Sequence, residues 1–482
     1  MIRTKIVCTI GPASREPEML RRLIEAGMDV ARLNFSHADH AVHAETIARI
    51  RAASQAAGKA VAIMGDLQGP KLRIGVLAEG GVRIDEGERV VLTTRDVTGR
   101  RETSGPIRAT IPVQYAGLPR DVKADEHILI DDGLVELRAR EVSGQDLVCD
   151  VITGGLLTDR KGLNLPGTEL SVPSITDKDW EDLNFCLEQE LDWIALSFVR
   201  SAEDVERIKQ HIVVRCKPES SMRVLAKIEK PQALRVIDDI IKAADAVMIA
   251  RGDLGIEIPA EDVPLVQKRL IRLCNAAAKP VITATQMLDS MMRNPRPTRA
   301  EASDVANAIL DGTDAIMLSG ETAVGKYPLE AVTTMVRIAR ETEQATFAGA
   351  WHPPVHVRVT TGDVTDAVSR ATCETAHALK AAVVIAATAS GTTARNIAKY
   401  RPYVPIMAPT FSPIVERQLR LSWGVIPLLT QRAKITDDLV RDSLNLAASM
   451  GLAREKDRVV ITAGITVHTP GMTNLMLVEV VH

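Results

Sequence analysis

The sequence predicts an α/β protein: a (β/α)8 barrel with an inserted, β-barrel-like lid domain, followed by a C-terminal α/β domain whose sheet is mostly parallel. Three observations predict this architecture. Short apolar runs recur along the chain, each followed by an amphipathic helical pattern, as expected of strands buried on both faces. The repeat breaks once, in a stretch rich in Gly and Val. Alternating α and β patterns resume after a Pro-containing segment near residue 351.

Length and composition describe a soluble globular protein of several domains. At 482 residues the chain is too long for one ordinary core, and 46% hydrophobic with 25% charged residues is a usual globular balance. A formal net charge of -3 argues against a basic nucleic-acid-binding protein. No apolar run approaches the ~20 residues needed to span a bilayer, and the N-terminus lacks a signal-peptide pattern. Six scattered cysteines without a C-x-x-C pair favour neither structural zinc nor a disulfide framework. We therefore expect a cytoplasmic protein with no nucleic-acid or membrane partner.

The barrel is predicted from eight strand–helix units, assigned to residues 1–69 and 171–347. Helical spacing is clearest at Glu18–Ala26 and Val263–Ala277, where apolar residues fall on one face. The predicted strands are Lys5–Thr9, Val30–Phe35, Val61–Asp66, Trp193–Phe198, Val224–Glu229, Ala246–Ala250, Val281–Thr285 and Ala315–Ser319.

The interruption at residues 70–170 is predicted to be a β-rich lid. Gly-containing turn signals separate alternating segments such as Arg89–Thr93 and Leu134–Arg138, which are typical of antiparallel strands. The insert follows the third barrel strand. Because insertions at the C-terminal ends of barrel strands lie over the active-site face, the segment is expected to cover the site.

Residues 348–482 are predicted to form the C-terminal α/β domain. The segment Trp351–Pro354 marks a linker. Helices are predicted at Asp363–Leu379 and Asp437–Ser449. The predicted strands are Val383–Ala387, Val404–Met407, Val459–Thr462 and Leu475–Val481.

Polar side chains concentrate where the predicted barrel strands end, which is where barrel enzymes carry their catalytic groups. Side chains alternate along a strand, so Arg32, Asn34 and Ser36 share one face. Three polar groups in register favour a phosphate-facing surface, although a solvated strand end is the simpler alternative. By the same alternation, Lys227 and Glu229 point to one side, either as catalytic groups or as a structural salt bridge.

The sixth, seventh and eighth strands end in further candidate groups. Gly252 allows close backbone approach to a ligand, and Asp253 is well placed as a second oxygen ligand for Mg²⁺ beside Glu229. Thr285 and Ser319 offer hydroxyls that donate hydrogen bonds or relay a proton. Helix capping is an equally simple explanation for Ser319.

An ordered series of segments runs through the chain: Thr4–Ser14, Gly27–His37, Lys161–Gly167, Arg251–Pro259, Thr285–Met291, Pro295–Asn307 and Met317–Thr322. Together these segments closely resemble the pyruvate kinase family. The resemblance implies phosphoryl transfer from phosphoenolpyruvate to ADP, giving pyruvate and ATP, with Mg²⁺ or Mn²⁺ as the divalent ion and a homotetrameric assembly.

The same resemblance implies roles for individual residues. Lys227 matches the residue that stabilises charge on the transferred phosphoryl group, and Glu229 and Asp253 match the ligands of the divalent ion. Thr285, with Ser319, is our candidate for relaying the proton that the enolate gains. Positions that contact phosphoenolpyruvate match Arg32, Gly252, Asp253 and Thr285. Positions at the nucleotide and cation side match Asn34, Ser36, His37, Arg73 and Lys161.

One departure from the family pattern concerns potassium. Many members carry a glutamate at the end of the segment that reads Asp66–Lys71 here, and they require K⁺. The ammonium group of Lys71 can supply the positive charge that a bound K⁺ otherwise gives. We therefore predict that K⁺ is not required. The alternative is that Lys71 points into solvent.

A hydroxyl-rich turn after the strand Val383–Ala387 predicts a phosphate-binding loop. In the family it matches the sugar-phosphate effector site, but Ala389 and Thr392 stand at positions that are commonly basic, and His468 is the one basic residue of the loop Gly464–Asn474. A sugar monophosphate, or no effector, is expected. An ordinary Ser/Thr N-cap is the alternative. The loop residues are Thr388, Ser390, Gly391, Thr392 and Thr393.

Two rival functions remain open at this point. A Mg²⁺-dependent lyase or aldolase that handles a pyruvate enolate would use the same lysine, arginine and carboxylates, but it would not need a lid carrying Arg73 and Lys161. A catalytically silent sugar-phosphate sensor is the rival from another class. The joint retention of four residues argues against that sensor: Lys227, Glu229, Asp253 and Thr285.

Overall fold

The computed structural model describes residues 2–215, 222–349, 362–433, 435–464 and 472–481. The predicted linker at Trp351–Pro354 lies outside these residues, as does His468. Within the described ranges, no helix is both long and apolar enough to cross a membrane.

The chain begins with three barrel strands and two helices. The first helix starts with Pro17 in its first turn, buries Leu20, Leu23 and Ile24, and stops at Gly27, which has a positive φ. The five elements are β1 (Lys5–Thr9), α1 (Pro17–Ala26), β2 (Val30–Asn34), α2 (His40–Ala56) and β3 (Ala62–Asp66).

The chain then enters a β-rich segment that builds its own apolar core. Its elements are β4 (Val82–Ile84), β5 (Arg89–Thr93), β6 (Arg100–Arg101), β7 (Ile107–Pro112), α3 (Leu118–Asp121), β8 (His127–Ile130), β9 (Val135–Ser143), β10 (Asp146–Thr153), β11 (Gly155–Leu157) and β12 (Leu163–Asn164). They form a seven-stranded sheet in the order β12-β8-β9-β10-β5-β7-β6 and a two-stranded sheet of β11 and β4. This confirms that a β-rich insert interrupts the barrel, and we call it the lid.

The two connections between lid and barrel run side by side. The Leu163 N–H donates to the Leu72 carbonyl at 3.0 Å, and the Ile74 N–H donates to the Lys161 carbonyl at 3.0 Å. The returning connection is also held by Arg200, whose guanidinium donates to the Ser174 hydroxyl and to two carbonyls, at 2.8–2.9 Å. The lid therefore joins the barrel through a paired, two-stranded hinge.

In the rest of the barrel each strand is followed by one or two helices. The elements are α4 (Asp177–Glu188), β13 (Trp193–Leu196), α5 (Ala202–Arg215), β14 (Arg223–Ile228), α6 (Pro231–Arg235), α7 (Ile237–Ala243), β15 (Ala246–Ala250), α8 (Arg251–Glu257), α9 (Val263–Ala276), β16 (Val281–Ala284), α10 (Arg299–Leu310), β17 (Ala315–Leu318), α11 (Gly320–Ala323) and α12 (Pro328–Phe347). The eight strands close in the order β1-β17-β16-β15-β14-β13-β3-β2, and every pair is parallel. The predicted barrel is confirmed.

Several predicted strands end one or two residues too late. In the structure four strands stop earlier: β2 before Phe35, β13 before Ser197, β16 before Thr285 and β17 before Ser319. At these points the chain leaves the sheet, so Ser197, Thr285 and Ser319 lie beyond the strand ends instead of within the barrel wall.

The C-terminal region forms a five-stranded sheet. Its elements are α13 (Val364–Ala378), β18 (Val383–Ala386), α14 (Thr392–Lys399), β19 (Ile406–Thr410), α15 (Pro413–Gln418), β20 (Val425–Leu429), α16 (Thr436–Ser449), β21 (Arg458–Ala463) and β22 (Leu475–Val480). The order is β20-β19-β18-β21-β22, and β22 alone is antiparallel. The mostly parallel sheet is confirmed, and β20 is an addition to the predicted strands. The predicted limits of the three domains stay a prediction.

The C-terminal region packs on the end of the barrel opposite the lid. The Lys5 ammonium, at the start of β1, donates to the Val425 carbonyl at 2.7 Å. Arg401 pairs with Asp314, which directly precedes β17, at 3.0 Å. Burial lowers the pKa of Lys5 to about 8, although the carboxylate of Asp29 partly opposes this shift.

Candidate active site

A buried lysine lies at the centre of the barrel mouth. The Lys227 Nζ lies 2.8 Å from Glu229 Oε1 and 3.1 Å from Asp66 Oδ1, and it donates to the Ser197 hydroxyl at 2.7 Å. These residues come from the ends of β14, β3 and β13, so three neighbouring strands deliver them to one point. The structure confirms that Lys227 and Glu229 point to the same side.

Arg32 joins this cluster through Asp66. Its Nε donates to Asp66 Oδ2 at 2.6 Å, and its Nη1 donates to the Thr9 hydroxyl at 2.9 Å. Asp66 is 1% exposed, and its two oxygens are shared between the two cations. The carboxylate of Asp66 therefore fixes the separation of the guanidinium and ammonium groups that face the barrel mouth.

Burial and charge act in opposite directions on the pKa values of these groups. Burial disfavours ionisation of Asp66, but the charges of Arg32 and Lys227 outweigh it and lower its pKa. Burial likewise opposes the charge on Lys227, yet Asp66 and Glu229 raise its pKa above the usual value. Burial raises the pKa of Glu229, and Asp253 adds to this shift while Lys227 opposes it. The lysine is thus held as a cation.

The second carboxylate comes from the short helix α8, which begins directly after β15. Asp253 lies close enough to Glu229 for its charge to raise the pKa of that carboxyl group. Two carboxylates near one another, one of them buried, suit a hard divalent cation that keeps substrate oxygens and waters as its other ligands. No cluster of three or more His, Cys, Asp or Glu side chains that could hold a metal occurs within the described ranges.

Thr285 lies beside this helix in a strained conformation. The Gly252 N–H donates to its hydroxyl at 2.7 Å. Its φ of 69° is rare for a β-branched residue and costs about 1–3 kcal/mol. Arg251 holds the strained segment, because its guanidinium donates to the Thr285 carbonyl at 2.9 Å and pairs with Asp304 at 2.7 Å. The Arg251–Asp304 ion pair therefore anchors the backbone that places the Thr285 hydroxyl beside Gly252.

The side chain of Ser319 does not cap the helix α11. The residue precedes α11, but its side chain makes no capping hydrogen bond, so the capping alternative is wrong. Its hydroxyl oxygen is buried and has no hydrogen-bond partner. Its backbone N–H donates to Glu321 at 2.7 Å, which fixes the residue while leaving the hydroxyl uncommitted.

The predicted nucleotide-side residues fall into two groups. On the barrel, Asn34 accepts a hydrogen bond from the Ser36 N–H at 3.1 Å, and His37 follows on the exposed surface. On the lid hinge, Arg73 bridges to Gly162 next to Lys161, which pairs with Asp131 at 2.9 Å. No hydrogen bond or ion pair joins the two groups among the residues described, so the structure leaves the lid residues apart from those of the barrel.

Lys71 lies just before Leu72, where the outgoing connection of the hinge begins. Its side chain is exposed, and it forms no hydrogen bond or ion pair with any residue that the structure describes. Its backbone N–H donates to the carbonyl of Gly69, which has a φ of 67°. In this conformation the ammonium group lies outside the Lys227 cluster.

Sequence reasoning missed several residues of the site. Ser197, which contacts Lys227, is one residue past a barrel strand, and that position was the available signal. The double role of Asp66 and the pairing of Arg251 with Asp304 connect residues far apart in sequence. Without the fold, no spacing pattern joins them.

The C-terminal loop has the geometry of a compact turn before α14. Gly391 is the N-cap, with a φ of 84°, so the predicted alternative of a Ser/Thr N-cap is wrong. The Gly391 N–H donates to the Thr388 hydroxyl at 2.8 Å, and the Ser390 and Thr392 hydroxyls lie 3.0 Å apart. The Thr393 hydroxyl lies 2.9 Å from that of Thr473.

A basic residue that the sequence did not suggest borders this loop. Arg432 lies over the ring of Phe411, 4.9 Å from its centroid, and both line one cavity with Thr388, Ser390 and Thr393. The backbone carbonyl of Ser390 also accepts a hydrogen bond from Arg223 at 3.0 Å, at the start of β14. The loop is thus connected to the strand that precedes Glu229.

Comparison with known proteins gives a consistent result over the whole chain. Residues 1–332 match the family model described as pyruvate kinase, barrel domain, and residues 366–479 match that of pyruvate kinase, alpha/beta domain. A pyruvate kinase of Geobacillus stearothermophilus is 47% identical over 484 residues, covering 99% of this chain and 80% of the relative. Pyruvate kinase 2 of Synechocystis is 46% identical and covers 99% of this chain and 79% of that protein.

A solved structure agrees at the level of the fold. The crystal structure of a pyruvate kinase from Cryptosporidium parvum superimposes with a TM-score of 0.93 at 37% identity. The match covers 100% of this chain and 96% of that one.

Proposed function

The chain belongs to the pyruvate kinase family, and from this premise we propose that it transfers the phosphoryl group of phosphoenolpyruvate to ADP with a divalent cation held by Glu229 and Asp253. The observation that carries the proposal is the buried cluster around the Lys227 ammonium, which pairs with Glu229 and Asp66. Such an arrangement suits phosphoryl transfer, where catalysis consists mainly of positioning and charge neutralisation.

In the proposed reaction, an oxygen of the ADP β-phosphate attacks the phosphorus, and the bond to the enolate oxygen breaks. Lys227 and Arg32 face the negative charge that spreads over the migrating group. A bound Mg²⁺ or Mn²⁺ would neutralise phosphate and enolate oxygens. The released enolate then takes a proton at its methylene carbon. Thr285 is proposed to line the substrate site and, with the uncommitted hydroxyl of Ser319, to deliver that proton through water.

On the nucleotide side, Asn34, Ser36 and His37 are proposed to meet the nucleotide from the barrel, and Arg73 and Lys161 from the lid. Their separation supports a lid that closes over bound nucleotide, because the lid residues gain contacts with the barrel group only when the hinge moves.

The test of the reaction is ATP formation from phosphoenolpyruvate and ADP by the purified protein. Lys227→Met should abolish it while leaving the circular dichroism spectrum unchanged. Lys268→Met is the matched control, since Lys268 is an exposed lysine on α9 that pairs with Asp311. Turnover of phosphoenolpyruvate without ADP would favour a lyase. Absence of turnover in both the wild type and the variants would favour a silent sensor.

We further propose that the enzyme does not need K⁺, because Lys71 supplies the positive charge. The exposed side chain must swing toward the site for this to hold. Activity in tetramethylammonium buffer should match that in potassium buffer, and Lys71→Glu should create a potassium requirement. Large activation of the wild type by K⁺ would refute the proposal.

An effector is proposed to bind at the hydroxyl-rich loop. Gly391 and the hydroxyls of Thr388 and Ser390 suit one phosphate group, and Arg432 adds one positive charge to the same cavity. This supports a sugar monophosphate over a bisphosphate. Titration of a hexose monophosphate and a hexose bisphosphate at limiting phosphoenolpyruvate tests the order of potency. Thr388→Val should weaken whichever response is seen.

A homotetramer is proposed from the family and supported by one feature of the sheet. Edge strand β22 exposes Met476, Val478 and Val480 on one face. An unpaired, apolar edge strand is a template for association with a second copy. Light scattering after size exclusion should give four times the chain mass, and Val478→Lys should lower it. A cytoplasmic location stays a prediction.

A further inference from the structure

A buried ion pair links the two segments that carry the proposed metal ligands. Lys230 directly follows Glu229, and Glu257 is the last residue of α8, the helix that carries Asp253. The Lys230 Nζ lies 2.5 Å from Glu257 Oε1, and both side chains are at least nine-tenths buried. The ion pair therefore connects the end of β14 to α8, the two segments that carry Glu229 and Asp253.

The lid contacts the same carboxylate oxygen. Asn164, in lid strand β12, donates from its side-chain amide to Glu257 Oε1 at 3.2 Å. Asn164 lies next to Leu163, whose N–H closes the hinge on Leu72, and three residues after Lys161. Glu257 is thus in contact with the lid, with the segment of Glu229 and with the helix of Asp253.

The second oxygen of this carboxylate is unused. Glu257 Oε2 is buried and has no hydrogen-bond partner, while Oε1 accepts from both Lys230 and Asn164. Buried carboxylate oxygens are normally satisfied, so Oε2 is free to accept a hydrogen bond from one further donor. If the lid moves, Glu257 can accept a hydrogen bond at Oε2 while Oε1 keeps its ion pair with Lys230.

We propose that Glu257 is a positioning residue that couples closure of the lid, through Asn164, to the placement of Asp253 against Glu229. The inference rests on the proposed function, because it assigns metal binding to that carboxylate pair. A closed lid that holds Glu257 also holds α8, so the divalent ion binds more tightly. By linkage, the bound ion favours the closed lid to the same degree.

A purely structural ion pair would change stability and nothing else, so the test needs two other readouts. The first is the dissociation constant for Mn²⁺, measured by electron paramagnetic resonance on the protein without nucleotide. The second is hydrogen exchange at the hinge amides of Leu163 and Ile74, with and without Mn²⁺. Both are independent of turnover.

Asn164→Ala removes the lid contact and leaves the Lys230–Glu257 pair intact, so it is the decisive variant. We expect its Mn²⁺ dissociation constant to rise about tenfold, as for residues that orient metal ligands. Mn²⁺ should no longer protect the hinge amides. Asn184→Ala is the matched control, since Asn184 is a half-buried asparagine that bonds to His211 on the outer side of the barrel. It should leave both readouts unchanged.

Glu257→Gln keeps the size and one acceptor oxygen but removes the charge that pairs with Lys230. The double variant Asn164→Ala/Glu257→Gln should bind Mn²⁺ no more weakly than Glu257→Gln alone, because both changes break one pathway. Additive effects, or a wild-type dissociation constant in Asn164→Ala, would overturn the inference. Failure of the wild type to make ATP would refute the proposed function instead, and the Mn²⁺ and exchange measurements would still decide the coupling.

Discussion

Asp66→Asn tests whether one buried carboxylate sets the geometry of the catalytic cations. Asp66 is 1% exposed, accepts from Arg32 at 2.6 Å and pairs with Lys227 at 3.1 Å. Removing one member of a buried charge network costs about 3–5 kcal/mol, because the partners keep their desolvation cost. Asparagine keeps the volume and one acceptor, and Lys227 keeps Glu229 and Ser197, so we expect a loss of stability of about 3 kcal/mol.

Activity should fall further than stability predicts. With Asp66 neutral, Arg32 and Lys227 repel one another without a charged bridge, and a loss of about 10- to 100-fold in kcat/KM for phosphoenolpyruvate is expected. The pKa of Lys227 should also fall, because burial lowers it and Asp66 is the first of the charges that raise it. The alkaline limb of the pH–rate profile should therefore move to lower pH.

The assay is steady-state ATP formation across pH, with thermal unfolding of each variant. Ser197→Ala is the control, because it removes one hydrogen bond from Lys227 without changing charge. It should leave the alkaline limb in place. A wild-type kcat/KM and an unmoved alkaline limb in Asp66→Asn would refute the reasoning.

Three further predictions follow from the same network of buried contacts. Burial lowers the pKa of Lys5 to about 8, so above that pH the unfolded chain binds more protons than the folded one and stability rises with pH. The melting temperature of the wild type minus that of Lys5→Met should grow from pH 7.5 to 9.5, by the equivalent of about 2 kcal/mol, and a constant difference would contradict this. Asp304→Asn should release Arg251 from Thr285 and lower kcat about tenfold with little change in melting temperature. An unchanged kcat would show that the backbone at Thr285 keeps its conformation without the Arg251–Asp304 ion pair. Arg200→Met should speed hydrogen exchange in the returning lid connection and raise the KM for ADP. Unchanged exchange would show that contacts other than those of Arg200 hold this connection.

Most of the fold was predictable because a closed parallel barrel buries its strands on both faces. Continuous apolar runs such as Ala246–Ala250 therefore stand out in the sequence, and this strand was predicted at its observed limits. β20 was missed because Pro427 interrupts its apolar run, and Pro is unfavourable within most strands. The strand tolerates it at the edge of the C-terminal sheet.

The site was predictable only where the arrangement of its residues follows from neighbouring positions in the sequence. Alternation along β14 places Lys227 and Glu229 on one side regardless of the rest of the chain. Arg432 could not be assigned to the loop around Ser390, because folding alone brings the two segments to one cavity. The orientation of a long, exposed side chain such as Lys71 is likewise not encoded by its neighbours in sequence.

The paired hinge of the lid also bears on how the barrel closes during folding. β3 and β13 are partners in the barrel wall, with Met64 opposite Trp193, although the whole lid separates them along the chain. An unstructured loop of roughly a hundred residues would make that pairing about 2 kcal/mol more costly than a loop of roughly ten. The lid folds on its own core, and its two connections to the barrel run side by side. The entropic cost of pairing β3 with β13 is therefore that of a short loop. Local unfolding of the lid would therefore lengthen the effective loop between β3 and β13 and weaken their pairing in the barrel wall.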